Sequence, residues 1–106
     1  MSRPEDLIGN RELWDIVNER FSGADGLALW RRPDIGWGLF ATPEAQVASL
    51  GDVAGLYVVE VGCGTAHFSS WLARRGARVV ALDLSSAQLA TARAGQAEHG
   101  LPFALV

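Results

Sequence analysis

Two acidic residues and two glycines have a spacing that suits the binding of a nucleotide-like ligand. Glu60, Gly62 and Gly64 stand at the end of an apolar, β-branched run, and Asp83 follows a second such run at 78–82. Glycine has no Cβ atom, so the chain can turn sharply there and a ligand can approach the backbone closely. A carboxylate at Asp83 can accept two hydrogen bonds from a ribose diol, as in dinucleotide-binding folds. The pattern predicts the front half of a nucleotide-binding βαβ unit.

The residues around the glycines indicate which ligand fits. The fingerprint of dinucleotide-binding folds needs a third glycine, and this chain has His67 at that position. Those folds also bind the pyrophosphate of their ligand at a helix N-terminus. Glu60 would place negative charge beside that pyrophosphate. A ligand with an ammonium and a sulfonium group and no phosphate, such as S-adenosylmethionine, is a better electrostatic match. An NAD(P)-binding oxidoreductase domain is the alternative.

The segments Glu60-Val-Gly-Cys-Gly-Thr-Ala66 and Asp83-Leu-Ser85 carry a family resemblance. They resemble the first and second cofactor motifs of class I S-adenosylmethionine-dependent methyltransferases, in the small-molecule branch that includes ubiquinone- and menaquinone-biosynthesis enzymes. The resemblance is strong over residues 55–106 and weaker over 30–49. It implies an α/β, Rossmann-like three-layer fold, S-adenosylmethionine as the cofactor and a small-molecule methyl acceptor.

The resemblance also implies a set of cofactor-binding residues at one edge of the sheet. They are Glu60, Gly62, Cys63, Gly64, Thr65, Ala66, Asp83, Leu84 and Gln88. Residues 62–66 would surround the methionine end, Glu60 would support its ammonium directly or through water, Asp83 would hold the ribose, and Leu84 would lie against the adenine. Ala66 replaces the family's usual third glycine, and its methyl group would crowd the methionine moiety. The catalytic residues and the acceptor atom are not assigned.

Trp37 is also a candidate cofactor-binding residue. For Gln88, Trp37 and Cys63 the sequence leaves two interpretations open. Gln88 belongs to a capping box with Ser85, but the matching family position often touches the ribose or the adenine. Trp37, between two glycines, is either a lid over the cofactor or a packing anchor. Cys63 is a small loop residue, unless its place near a helix N-terminus makes it reactive. His67 is expected to face solvent.

Sequence patterns around the site predict the elements that hold it. A helix begins near Ala66, with Phe68, Trp71 and Leu72 on one apolar face, and ends before Gly76. A second helix follows the capping box and runs to about residue 99, and a third strand spans 103–106. Two successive right-handed crossovers would place both helices on one face of a parallel sheet.

We predict that residues 1–50 form a helical lead-in and that residues 51–106 form the first half of the cofactor-binding domain. Asn10 is expected to cap a helix that ends at Gly23, with an apolar stripe of Leu13, Trp14, Val17 and Phe21. A short helix is predicted over 24–32 and a loop over 34–40. Thr42 is expected to cap a helix that has Pro43 in its first turn and runs to about Leu50.

The predicted sheet stops after its third strand, which leaves the first strand at an edge with one face open. We therefore interpret the chain as truncated, and we expect self-association through that face. A fragment that keeps the fold but only binds a ligand or partner is a second alternative to a complete enzyme.

Composition narrows the possible partners and compartment. The chain has 106 residues, a formal net charge of −3 and scattered basic residues, which argues against nucleic acid as a partner. One cysteine and two distant histidines do not make a metal site, and the lone cysteine suits a reducing compartment. The N-terminal residues carry no long apolar run, so we expect no signal peptide, no membrane span and a cytoplasmic location.

Overall fold

A computed structural model of the chain describes residues 9–13 and 23–106. Residues 9–13 are helical, and the labelled helices are α1 (Gly23–Trp30), α2 (Glu44–Val47), α3 (His67–Arg74) and α4 (Ser86–His99). The strands are β1 (Gly36–Trp37), β2 (Thr42–Pro43), β3 (Tyr57–Val61), β4 (Arg78–Leu82) and β5 (Ala104–Leu105). No helix in these ranges is both long enough and apolar enough to cross a lipid bilayer.

The main sheet confirms the predicted α/β order. Its strands lie in the order β3-β4-β5, and both pairs are parallel. Tyr57 pairs with Arg78 and Val61 with Leu82, so β3 and β4 end at the same level. Within the described residues β3 has a partner on one side only, as the sequence predicts.

One face of this sheet is covered by both crossover helices. Val79 of β4 packs in a buried cluster with Trp71 and Leu72 of α3. Ala81, two residues along the same strand, packs in a second cluster with Leu89 of α4. Side chains two apart on a strand share a face, so α3 and α4 lie on the same side, as predicted.

The opposite face is open in the described part of the chain. Tyr57, Val59 and Val61 are 80%, 59% and 80% exposed. Helix α1 does not cover them, because it packs on α3 and α4 instead. Trp30, at the end of α1, is fully buried, and its backbone oxygen accepts a hydrogen bond from Arg74 Nη2 at 2.8 Å. The apolar residues on this face of β3 therefore remain uncovered.

The segment between α1 and β3 differs from the prediction. Gly36–Trp37 and Thr42–Pro43 form a short antiparallel pair, so Thr42 lies in a strand and does not cap a helix. Helix α2 starts at Glu44 and ends at Val47, earlier than the predicted Leu50. The reason is Glu44 itself, whose buried carboxylate accepts hydrogen bonds from the backbone N–H groups of Ser49 and Leu50 at 3.0 Å. Those amides are thereby withdrawn from a continuing helix.

Two predictions for the N-terminal helices are wrong. Asn10 lies inside a helical stretch rather than before it, and Gly23 begins α1 rather than ending a helix. Leu13 is exposed, so it does not belong to a buried stripe. The other three members of the predicted stripe, Trp14, Val17 and Phe21, lie outside the described residues.

Candidate functional site

A cavity of about 430 Å³ opens at the carboxyl ends of β3 and β4. Five of the predicted site residues line it, namely Gly62, Gly64, Asp83, Leu84 and Gln88. The other lining residues are Asn10, Val61 and Leu82. Asn10 was missed as a site residue because its sequence context indicated only a helix cap. Ligands of open α/β sheets bind at this edge, so the cavity is the candidate site.

The loop between β3 and α3 needs an unusual backbone at three places. Gly62, Gly64 and Ala66 have φ angles of +70°, +58° and +63°. A Cβ atom built on Gly62 would meet nothing within 4 Å, and one on Gly64 would be 3.8 Å from Gln88 Nε2. Glycine is therefore needed at these two positions for the backbone angle, and the space beside it is left open to the cavity.

Ala66 stands at the N-cap of α3 in the left-handed conformation, which explains why the pattern prefers glycine there. Its side chain is fully buried and belongs to the core cluster with Trp30 and Ala81. The expected crowding of a ligand by this methyl group is therefore wrong, because the methyl group packs away from the cavity. The departure from glycine costs backbone strain rather than ligand space.

Asp83 joins the loop to the end of β4. Its Oδ2 accepts a hydrogen bond from the backbone N–H of Gly64 at 2.7 Å, and its Oδ1 accepts one from Ser85 N at 2.8 Å. A carboxylate oxygen has two lone pairs, so each oxygen keeps acceptor capacity toward the cavity. Asp83 is thus held in a fixed orientation at the place where the sequence predicts a ribose-binding acid.

Glu60 lies behind the loop and is half-buried. Its Oε1 accepts a hydrogen bond from Ser69 Oγ of α3 at 2.6 Å. Burial raises the pKa of Glu60, Ser69 lowers it, and the neighbouring Asp83 charge raises it, with a net upward result. A nearby cation would reverse this shift, because it stabilises the ionised carboxylate.

Cys63 and Thr65 contribute to this loop mainly through their backbones. The Cys63 side chain is buried in the core cluster, and its pKa is raised to about 12 by burial and by Glu60 and Asp83. It therefore stays a neutral thiol, and the interpretation as a small loop residue is supported over reactivity. Thr65 is buried, and its backbone oxygen accepts a hydrogen bond from Trp30 Nε1 at 2.7 Å. Helix α1 thus fixes the loop from the core side.

Gln88 has two relations to the site. Its backbone N–H donates to Ser85 Oγ at 3.1 Å, which confirms the predicted helix cap. Its side chain is 7% exposed, lines the cavity, and has no hydrogen-bond partner for Oε1 among the described residues. A buried acceptor without a partner is costly, so this amide is suited to a ligand donor. Leu84 beside it is exposed and provides an apolar wall.

Trp37 does not lie at the cavity. Its indole N–H donates to Glu44 Oε1 at 2.9 Å, and its ring makes an edge contact with Phe68 at 5.3 Å. These contacts support the interpretation of Trp37 as a packing anchor and not as a lid, because neither Glu44 nor Phe68 lines the cavity. His67 is half-buried rather than solvent-facing, and its pKa is lowered by burial and by Arg32.

The described ranges contain no group of three or more His, Cys, Asp or Glu side chains arranged to hold a metal ion. The two carboxylates nearest the cavity, Glu60 and Asp83, already accept hydrogen bonds from Ser69, Gly64 and Ser85.

Comparison with known proteins bears on the segment that builds the cavity. Residues 58–106 match the family model described as a methyltransferase domain. The segment that builds the cavity is therefore similar to a methyltransferase domain. The match covers β3 from Val58 onward, the glycine loop, Asp83, both crossover helices and β5.

Curated relatives match the chain over 40, 49 and 50 residues. The chain is 44% identical over 50 residues to the ribosomal RNA small subunit methyltransferase C of Chromohalobacter salexigens, covering 47% of this chain and 15% of that protein. It is 52% identical over 40 residues to the malonyl-[acyl-carrier protein] O-methyltransferase of Pectobacterium atrosepticum, covering 38% and 16%. It is 47% identical over 49 residues to the ubiquinone biosynthesis O-methyltransferase of Azotobacter vinelandii, covering 46% and 21%. The matched stretch is thus about a fifth or less of each relative's length.

Proposed function

We propose that this chain carries the cofactor site of an S-adenosylmethionine-dependent methyltransferase that acts on a small molecule. The observation that carries the proposal is the cavity at the ends of β3 and β4, lined by Gly62, Gly64, Asp83 and Gln88. These residues lie inside the segment that matches a methyltransferase domain. A dehydrogenase is the rival function, and the chemistry of the cavity separates the two.

The cavity suits a cationic nucleoside better than a dinucleotide. Among the described residues that line it, Asp83 is charged and none is lysine or arginine. A pyrophosphate would meet the charges of Asp83 and Glu60 without a basic side chain to offset them. The unpartnered Oε1 of Gln88 and the open space at Gly62 are both features that a bound nucleoside would use.

Each proposed residue has a defined part in binding. The backbone of residues 62–66 would surround the methionine end, with Cys63, Thr65 and Ala66 contributing no side chain to the cavity lining. Glu60 would offset the ammonium charge, Asp83 would accept the ribose hydroxyls, and Leu84 would pack against the adenine. Trp37 is left out of this set because of its place beside Glu44.

S-adenosylmethionine would supply an electrophilic methyl group: a nucleophile of the acceptor would bond to the methyl carbon as the carbon–sulfur bond breaks, and S-adenosylhomocysteine would leave. A reaction of this kind gains most from holding the two reactants in line and excluding water. Asp83 fixes the loop, because its Oδ2 accepts a hydrogen bond from Gly64 N at 2.7 Å, and it would also hold the ribose. No side chain of this segment is assigned as a general base.

The relatives act on different classes of acceptor, and the charge of this chain favours one of them. Two relatives are named as O-methyltransferases, one for malonyl-[acyl-carrier protein] and one for ubiquinone biosynthesis. The third is named as a ribosomal RNA methyltransferase. The chain has 9 basic and 12 acidic residues, and RNA binding needs a basic surface. We therefore favour a small-molecule acceptor.

Three further proposals concern the surroundings of the site. Residues 51–106 are the cofactor-binding part, and residues 1–50 are a lead-in that supports it. The free Cys63 suits a reducing cytoplasm. The exposed Tyr57, Val59 and Val61 favour self-association through the open sheet face.

Isothermal titration calorimetry with S-adenosylhomocysteine and with NADH tests the proposed function. The full-length protein should bind S-adenosylhomocysteine and not NADH. Asp83→Ala should weaken binding roughly tenfold or more, since a hydrogen bond to a charged group is worth about 1.5–3 kcal/mol. Binding of NADH alone would favour the dehydrogenase, and an unchanged Kd in a folded Asp83→Ala protein would remove Asp83 from the site.

A further inference from the structure

Two neighbouring serines of α3 are both fully buried, but their hydroxyl groups serve different partners. Ser69 Oγ donates to Glu60 Oε1 at 2.6 Å and so links α3 to β3. Ser70 Oγ donates to the backbone oxygen of His67 at 2.6 Å and stays within its own helix. Ser69 therefore contacts a proposed cofactor-binding residue from the core side, where the cavity does not reach.

The contact has electrostatic consequences for Glu60. Burial raises the pKa of this carboxyl, and the hydrogen bonds from Ser69 work against that increase. A hydroxyl that donates to a carboxylate favours its ionised form and fixes the direction of its oxygens. A carboxylate already held through Oε1 loses less freedom when a ligand binds it.

We propose that Ser69 is a positioning residue, which holds the Glu60 carboxylate so that it pairs with the ammonium group of the bound ligand. The inference rests on the proposed function, because it takes Glu60 as the partner of a cationic ligand. It adds to that function a residue that does not line the cavity and acts only through Glu60.

Among the described residues, Asp83 and Cys63 interact electrostatically with Glu60. Asp83, at the end of β4, raises the pKa of Glu60, and the Cys63 thiol in the loop has its own pKa raised to about 12. The first turn of α3 adds His67, whose pKa is lowered by burial. These groups are unchanged in a serine variant, so a comparison between two serine variants isolates the hydroxyl that reaches Glu60.

The test compares Ser69→Ala with Ser70→Ala by titrating S-adenosylhomocysteine into the full-length protein at several pH values below neutral. Binding needs ionised Glu60, so affinity falls as the pH drops through the pKa of that carboxyl. Loss of the Ser69 hydrogen bond raises this pKa, and the fall in affinity should move to higher pH. At the pH values where the two profiles differ, Ser69→Ala should bind more weakly by roughly tenfold or more, which is the scale of a lost hydrogen bond to a charged group.

Ser70→Ala is the matched control, since it removes an equally buried hydroxyl from the same helix. It should keep the wild-type pH profile. Repeating Ser69→Ala in a Glu60→Gln background gives a second readout, because the serine should then have little further effect on Kd. Ser69→Cys, which keeps the side-chain volume with a weaker donor, replaces Ser69→Ala if circular dichroism shows that the alanine variant is unfolded.

The outcomes separate this inference from the function on which it rests. Absence of S-adenosylhomocysteine binding by the wild type overturns the proposed function and this inference together. Wild-type binding with identical pH profiles for Ser69→Ala and Ser70→Ala overturns the inference alone. An equal loss in the Glu60→Gln background also overturns it, because the serine would then act on stability and not through Glu60.

Discussion

Glu60 faces opposing demands from stability and from binding. Its folded-state pKa is raised above the ordinary value, with burial as the largest cause. A group of this kind adds stability below its unfolded pKa, and that stability is lost as the pH rises through the folded pKa. At neutral pH the folded protein therefore holds a carboxylate that is less favourable than it would be in water. A cationic ligand would offset this cost.

We predict that Glu60→Gln stabilises the protein at neutral pH and weakens ligand binding. Glutamine keeps an acceptor for Ser69 Oγ but removes the half-buried charge. The gain in the free energy of unfolding should be present at pH 7 and disappear near pH 4, which chemical denaturation at the two pH values measures. Affinity for S-adenosylhomocysteine should fall roughly tenfold. Equal stability of the two proteins at pH 7 would show that Glu60 carries no such cost.

The positions of Glu60 and Asp83 at the ends of two neighbouring strands could be predicted from sequence, whereas the supports of their side chains could not. An acid at the end of a β-branched run indicates a site whatever surrounds it. The partner of Glu60 is Ser69, which the sequence marks only as a polar residue in a helix. Such a contact depends on how α3 packs on β3. Ala66 is similar, because a motif departure does not show whether its methyl group faces the ligand or the core.

At the scale of elements, the glycine loop sets the geometry of the cavity. Gly62 and Gly64 need positive φ angles, and Asp83 fixes the loop from the next strand. Trp30 of α1 holds the same loop from the core through the carbonyl of Thr65. Two contacts from outside the loop, one from Asp83 and one from Trp30, thus hold its five residues, so the loop is preorganised before a ligand binds.

We predict that Gly62→Val abolishes binding of S-adenosylhomocysteine, while Gly55→Val does not. Both glycines have positive φ angles, +70° and +77°, and open space where a Cβ atom would stand. Both variants should lose stability, by about 1–3 kcal/mol from backbone strain. Only Gly62 lines the cavity. Calorimetry with matched thermal unfolding checks this, and equal binding by both variants would place the ligand elsewhere.

Sequence patterns were reliable for elements with strong local signals. The Ser85–Gln88 capping box starts α4, and the helix ends at His99, as predicted. The prediction for residues 42–50 was wrong, because the buried carboxylate of Glu44 accepts hydrogen bonds from Trp37 Nε1 and from two backbone amides. Its pKa is lowered overall, since these hydrogen bonds outweigh the effect of burial. Hydrogen bonds from one side chain to nearby backbone amides do not produce a periodic sequence pattern, so the sequence could not predict them.

At the scale of the molecule, the described sheet is covered on one side only. Helices α3 and α4 cover one face, α1 packs on those helices, and the edge strand β3 exposes three large side chains on the other face. Parallel sheets are normally covered on both faces. The topology followed from the right-handed crossover rule, whereas the place of α1 could not be predicted from its sequence.

We predict that the 106-residue chain self-associates through the open face of β3. Val59→Lys, on the open face, should reduce the association seen by analytical ultracentrifugation, because it places a charge in the apolar surface. Ala94→Lys, which adds the same charge at an exposed residue of α4, is the control and should not. A wild-type protein that sediments as a monomer would contradict the prediction.

The most direct test of the account is an NMR titration of the ¹⁵N-labelled protein with S-adenosylhomocysteine. We predict that the largest shifts occur at the backbone amides of Gly62, Gly64, Leu84 and Gln88, which line the cavity. The resonance of the Trp37 indole N–H, which donates to Glu44 at 2.9 Å, should keep its chemical shift. Absence of any shift at saturating ligand, or shifts confined to the segment around Trp37, would contradict the claim that this cavity binds S-adenosylmethionine.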